Sequence, residues 1–248
     1  MICLLLAAGY ATRMHPLTLT APKPLLEVRG KPILNWLLDD IDAIGAVTKH
    51  VVISNHAFFS CFRDWREAQR YSKPIVVLDD GTEDNGRRLG AVRDIQFAVD
   101  ALGLDDDLLI AAGDNLLDFS LAGFVAFWQA RRASCVMCYE ENDPERLQRT
   151  AVITVDADRR ATHMEEKPCK PKGNLAVPPF YCYRREDIAR LPEALADGCG
   201  ADAPGSLAVW LSQRTPLYAW PMPGKRIDIG NMQGYLTARA EYTGRNSQ

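Results

Sequence analysis

Between Leu4 and Pro24 the sequence reads LLLAAGYATRMHPLTLTAPKP. An apolar run ends in a small-residue turn, and two cations, Arg13 and Lys23, follow with no acid between them. Backbone amides at the end of a buried strand, joined by spare positive charge, suit a polyphosphate better than an apolar ligand. The ligand this suggests is an NTP. The turn alone matches neither G-x-G-x-x-G nor a Walker loop, and Arg13 and Lys23 could equally be solvated loop charges. Length tips the balance towards function: a connection of about twenty residues, stiffened by Pro16, Pro22 and Pro24, is rarely filler in a compact domain.

Two further clusters carry acids. Asp114 follows Gly113 at the tip of the apolar run Leu108–Ala112. It reads either as a turn or capping aspartate, or as a carboxylate that holds a hard cation such as Mg2+ against phosphate oxygens. Asp228 stands in Arg226-Ile227-Asp228-Ile229-Gly230, where alternation turns both isoleucines inward and the acid outward. Glu166 and Lys167, in MEEKP, read as an exposed ion pair or as a hydroxyl acceptor beside a phosphate-binding cation. The four histidines form no catalytic pattern, and no serine or cysteine sits in a nucleophile elbow.

These residues need a frame. Strands are expected at Ile2–Ala8, Val51–Ser54, Ile75–Leu78 and Leu108–Ala112, alternating with helices at Ile33–Ile44, Phe58–Arg70, Leu89–Leu102 and from Ser120 to Arg131. The rhythm then changes to strands at Ser134–Glu140, Ala151–Val155, Ala161–Glu165 and Leu175–Arg184. Helices follow at Glu186–Leu195 and Ser206–Arg214, a strand at Leu217–Trp220, and a helix over Asn231–Tyr242. This predicts an α/β fold: a Rossmann-like, doubly wound mixed sheet with helices on both faces and a small antiparallel acceptor-binding lid. No Pro-, Gly- or Ser-rich linker divides the chain, so residues 1–248 are read as a single domain. Residues 1–132 would mainly bind the nucleotide and 133–248 the acceptor.

Lys+Arg 29 against Asp+Glu 32 leaves a formal charge of -3 without a basic block, which disfavours nucleic acid as a partner. No apolar run approaches the roughly 20 residues of a membrane span, and Met1–Ala8 lacks the basic flank of a secretory signal. Seven dispersed cysteines argue against a disulfide framework. Cys135 and Cys138 face opposite sides of one strand and are read as apolar strand residues of a reducing compartment rather than a metal pair. The expectation is a cytoplasmic protein.

Together these motifs resemble the sugar-1-phosphate nucleotidyltransferases, especially the glucose-1-phosphate thymidylyltransferase-like branch. LAAGYATRMHPLT…PKPLLEV is similar to that family's nucleotide loop, AAGDN to its metal site, EEKP to its acceptor site and RIDIG to its second metal position. The resemblance runs in order from Met1 to about Tyr242. It implies an Mg2+-dependent transfer in which an acceptor phosphate attacks the α-phosphorus of an NTP and pyrophosphate leaves. Arg13, Lys23 and Asp114 would be catalytic, with Asp114 and Asp228 as metal ligands. Leu6, Ala7, Ala8, Gly9, Tyr10, Ala11, Thr12, Gly81, Leu89, Gly90 and Asn115 would bind nucleotide. Ala151, Glu166, Lys167, Asn174, Pro179 and Arg226 would bind the acceptor. The implied partners are an NTP and a phosphorylated small molecule, with neither nucleic acid nor membrane; association into a homo-oligomer fits families of this kind.

Departures from the pattern fall mostly on the acceptor side. Ala151 and Pro179 replace glycines, and Arg226 replaces an aromatic residue; on the nucleotide side only Ala11 replaces a glycine. A small or more anionic acceptor, such as a cyclitol phosphate or a phosphonate, is therefore the alternative to an ordinary sugar phosphate. The rivals are weaker. A dinucleotide-binding oxidoreductase would need G-x-G-x-x-G and an acid after the second strand, where Asn55 and His56 stand. A non-catalytic nucleotide-binding subunit need not keep two metal aspartates.

Overall fold

A computed structural model describes residues 1–245. In chain order it contains β1 (Ile2–Leu6), β2 (Glu27–Val28), β3 (Lys31–Pro32), α1 (Ile33–Ile41), β4 (Lys49–Ser54), α2 (His56–Ala68) and β5 (Ile75–Asp79). Next come α3 (Ala91–Leu102), β6 (Leu108–Ala112), β7 (Asn115–Leu117), α4 (Ala122–Arg131), β8 (Ser134–Glu140), α5 (Pro144–Leu147), β9 (Ala151–Val155) and β10 (Ala161–Glu166). The rest is β11 (Leu175–Val177), β12 (Phe180–Tyr183), α6 (Arg185–Ile188), α7 (Leu191–Ala196), α8 (Gly205–Ser212), β13 (Leu217–Pro221), β14 (Arg226–Asp228) and α9 (Met232–Glu241). This is the α/β fold that the alternation of apolar runs predicts.

The chain divides into two compact units that interleave in sequence. One comprises Met1–Arg88, Ala112–Ala122 and Pro223 onward; the other comprises Leu89–Ala111 and Gly123–Met222. In the first, β1, β4 and β5 pair in parallel, with Leu6 opposite Ile53 and Ser54 opposite Asp79. Their carboxyl ends are thus level, and the Gly9 loop, Asn55 and the Asp80–Thr82 turn all leave from one edge. β1 and β4 are mostly buried, as a parallel sheet requires, while β5, at the end of the strand order, is fully buried only at Ile75. A separate antiparallel pair, β7 with β14, packs through Leu116 and Ile229 onto a core shared with Ile33, Tyr235 and Tyr242.

In the second unit the strand order is β10-β9-β11-β8-β12-β6, antiparallel throughout, with β13 added parallel to β8. Helix α8 packs against β10. Cys135 and Cys138 are both buried on β8, and burial pushes the Cys135 thiol up to about 12.

Several elements differ from the sequence reading for local reasons. The strand expected over Leu175–Arg184 breaks at Pro178 and Pro179, which cannot donate to a ladder. The helix expected over Glu186–Leu195 is two short helices, the second restarted with Pro192 in its first turn. The third helix starts at Ala91 rather than Leu89, because Gly90 takes φ 90°, outside helical space. No helix of the described residues is long and apolar enough to cross a membrane.

Candidate active site

The first unit gathers the nucleotide-loop residues at the level ends of β1, β4 and β5. After Leu6, the Ala8 carbonyl accepts the Asn55 side-chain amide (2.9 Å), while the Asn55 side-chain oxygen caps α2 at the Phe58 amide (3.0 Å). The buried Asn55 therefore ties the mouth of the loop to the neighbouring helix. Tyr10 donates its hydroxyl to the Thr82 carbonyl (2.7 Å), and Thr82 is itself held by the Asp80 carboxylate (2.7 Å). Burial raises the Asp80 carboxyl above its ordinary value, and one of its oxygens is buried without a partner. Gly81, between these residues, gives its amide to Asp79 (2.9 Å).

Ala11 has φ 48° and ψ 40°, a left-handed conformation that favours glycine. The turn this makes lets the Met14 amide and the Thr18 hydroxyl both donate to the Ala11 carbonyl (2.9 Å each), closing the loop over buried Met14 and Thr18. Thr12 and Arg13 are left exposed on its outer side.

Asp114 lies where the chain turns from β6 into β7. Gly113 donates to the Leu6 carbonyl (3.0 Å), which sets this turn beside the end of β1. The Lys23 ammonium is bonded to one Asp114 oxygen, and the Asn115 amide donates to the other (2.8 Å). Asn115 stands directly opposite Asp228 in the β7–β14 ladder, and Ile229 donates to the Asp114 carbonyl (3.3 Å). The two aspartates are thus neighbours across a strand pair. Arg226, on the same face as Asp228, donates to the Asn115 side-chain oxygen (2.6 Å) and lies 3.6 Å from the Asp228 carboxylate. Ile227 and Ile229 turn to the core while the Asp228 side chain stays half exposed.

The donor set is chemically suited to a divalent ion: carboxylate oxygens from Asp114 and Asp228 are hard ligands of the kind Mg2+ takes. Among the described residues no group of three or more His, Cys, Asp or Glu converges, so an ion held here needs further oxygens from phosphate or water.

The second unit carries its own cluster. In the ladders Ala151 is flanked by Glu166 on β10 and Val177 on β11. Pro179 follows Val177 at that same strand end, where Thr150 donates its hydroxyl to the Val177 carbonyl (3.1 Å). Lys167 gives its amide to Thr150 (3.1 Å) and is itself left-handed at φ 47°, a strain of roughly 1–3 kcal/mol that holds its exposed side chain clear of the strand. Burial raises the Glu166 carboxyl, opposed by the Lys167 charge. A β-carbon at Gly205, the first residue of α8, would collide with Glu166 and approach Ala151 to 3.0 Å. Glycine there is what lets the helix end close on both residues. Glu166 also lines a cavity of about 820 Å³ with Met164, Pro168, Ser206, Val209 and Trp210.

Leu89 and Gly90 lie in this second unit, where Ala91 and Val92 donate to the Asp202 and Ala201 carbonyls (3.2 and 2.9 Å). A β-carbon at Gly90 would lie 2.6 Å from the Ala201 oxygen, so only glycine fits. Asn174 precedes Leu175, which pairs with Ile153, and its carbonyl accepts from Glu141 (2.9 Å), three positions along the chain from Val177, the ladder partner of Ala151.

Sequence reasoning passes over Asn55 and Thr82 as functional supports. The only signal for either is a polar residue just beyond a buried strand.

The nucleotidyl transferase family model matches residues 2–245. The chain belongs to that family. It is 30% identical over 211 residues to the glucose-1-phosphate thymidylyltransferase of Mycolicibacterium smegmatis, covering 79% of this chain and 66% of that one. It is 24% identical over 253 residues to a UTP–glucose-1-phosphate uridylyltransferase of Synechocystis, covering 96% of this chain and 62% of the relative. The chain thus spans about two thirds or less of these two relatives' lengths. A UDP-glucose pyrophosphorylase solved with UDP-glucose superimposes with a TM-score of 0.83 over 97% of each chain at 21% identity, a likeness of fold. The family's members named here differ in nucleobase, so membership leaves the base open.

Proposed function

We propose that this chain is a sugar-1-phosphate nucleotidyltransferase that condenses an NTP with a sugar phosphate to give an NDP-sugar and pyrophosphate, with Mg2+. The observation that carries this reading is the Lys23–Asp114–Asn115–Arg226–Asp228 network: two carboxylates linked through Asn115 and Arg226 across one strand pair, each beside a cation, at the end of a β-strand. No nucleophilic side chain or general base stands among them, and none is needed, because an acceptor phosphate is already ionised at neutral pH. One of its oxygens forms the new bond to the α-phosphorus, and the bond from that phosphorus to the β-phosphate oxygen breaks. The electron pair leaves with pyrophosphate.

Each residue has a role in that displacement. Arg13 neutralises the leaving pyrophosphate and Lys23 the transferring phosphoryl group, so catalysis is positioning plus charge neutralisation. Asp114 and Asp228 would hold Mg2+, which when bound would stabilise charge on the phosphate oxygens. The loop Ala7 to Thr12 receives the triphosphate, while Leu6, Gly81, Leu89, Gly90 and Asn115 contact nucleotide. On the acceptor, Lys167 binds the phosphate and Glu166 accepts hydrogen bonds from hydroxyls, beside Ala151, Asn174 and Pro179. The relatives described above are named for glucose 1-phosphate, which supports a sugar over a small phosphonate. The seven free cysteines accord with a reducing, cytoplasmic setting.

The displacement is reversible, which gives a direct test. A set of NDP-sugars incubated with pyrophosphate and Mg2+ should yield NTP, followed by phosphorus NMR. Absence of NTP from every NDP-sugar would overturn the reading.

A further inference from the structure

Arg226 is the residue at this site that the family resemblance does not account for. Its side chain is 13% exposed, against 52% for that of Asp228. It donates to Asn115 at 2.6 Å, Asn115 donates onward to Asp114, and the same guanidinium nitrogen lies 3.6 Å from Asp228. Since positions 226 and 228 share a face of β14, the guanidinium is held on the metal-ligand side of the ladder by the strand itself.

With Lys23 on Asp114 and Arg226 beside Asp228, the two carboxylates are balanced by two cations of the chain. A site with no net charge attracts a free dication weakly, and a guanidinium a few ångströms from a ligand oxygen repels the ion directly. A polyanionic nucleotide changes that balance, because its phosphates compete for Lys23 and bring oxygen ligands of their own.

We propose that Arg226 is a positioning residue that acts as an internal counter-cation to the Asp114–Asp228 pair, so that the divalent ion enters only together with the nucleotide. This rests on the nucleotidyl-transfer reading for the identity of the metal ligands, but its test needs no turnover. Arg226 thereby sets the order of binding: metal–NTP complex first, with the free ion excluded.

Mn2+ binding to the full chain, without nucleotide or acceptor, can be read from the electron paramagnetic resonance signal of free Mn2+. Arg226→Gln, which keeps a donor for Asn115 but loses the charge, should bind Mn2+ on the order of tenfold more tightly than the wild type. Arg226→Lys should stay near wild type. Adding Asp228→Asn to Arg226→Gln should abolish the gain. Unchanged or weaker Mn2+ binding in Arg226→Gln would overturn the proposal, as would a gain that survives Asp228→Asn. A higher acceptor KM in Arg226→Gln with unaltered Mn2+ affinity would assign the residue to the acceptor instead. Circular dichroism of each variant separates these outcomes from misfolding. A protein with no pyrophosphate chemistry would still give a clear answer here, so the two readings fail separately.

Discussion

Lys23 and Asp114, 91 positions apart in the chain, form an ion pair in which the lysine side chain is only 14% exposed. The carboxylate therefore has its charge partner in place before any ligand arrives, and Asn115 holds its second oxygen. Asp114→Asn preserves the shape and removes the charge. Turnover is expected to fall by at least about a hundredfold, the scale seen when a charge-stabilising group is lost, while NTP affinity changes by only a few-fold. Pyrophosphate release and calorimetric NTP titration check the two halves. Unaltered turnover would remove Asp114 from the catalytic set.

Ala11 occupies a left-handed conformation that costs a non-glycine residue roughly 1–2 kcal/mol. Ala11→Gly relieves that strain but gains flexibility in the unfolded chain, which returns about 0.4–1 kcal/mol. The net expectation is a stabilisation of about 0.5–1 kcal/mol in urea unfolding. A loss of stability would mean that the alanine methyl contributes packing that outweighs its backbone strain.

Glu166 couples the acceptor cluster to pH. Burial holds its carboxyl above the ordinary 4.5, so between that value and the folded one the native state binds the extra proton. Stability then declines as pH rises through this window, and above it the ionised, partly buried carboxylate is a constant cost. Glu166→Gln should raise stability at pH 7 and lose that advantage near pH 4, in urea melts at the two values. The same variant should raise the acceptor KM. Equal destabilisation at both pH values would show that the carboxylate is well satisfied in the native state.

The sequence is informative where chemistry sits at the end of a long apolar run. Leu4–Pro24 and Asp114 after Leu108–Ala112 could each be located that way, and the alternation of Ile227, Asp228 and Ile229 foretold which side chains turn inward. The β7–β14 ladder is different. Each strand is three residues long, too short for periodicity, and the Arg226–Asn115 bond joins positions 111 apart. Nothing local announces that pairing, yet it is what makes Asp114 and Asp228 neighbours. Ala11, the nucleotide-side position where the family pattern has glycine, takes the left-handed conformation that a glycine there would supply.

The central claim is that this chain transfers a nucleotidyl group to a phosphorylated sugar. Its most direct test is a matrix of the five common NTPs against sugar 1-phosphates, cyclitol phosphates and small phosphonates, with Mg2+, scored by pyrophosphate release beside the Asp114→Asn variant. Release is expected for at least one NTP with a sugar phosphate, dependent on both substrates and lost in the variant. Release only with phosphonates or cyclitol phosphates would contradict the sugar assignment, and silence across every pair would contradict the reaction itself.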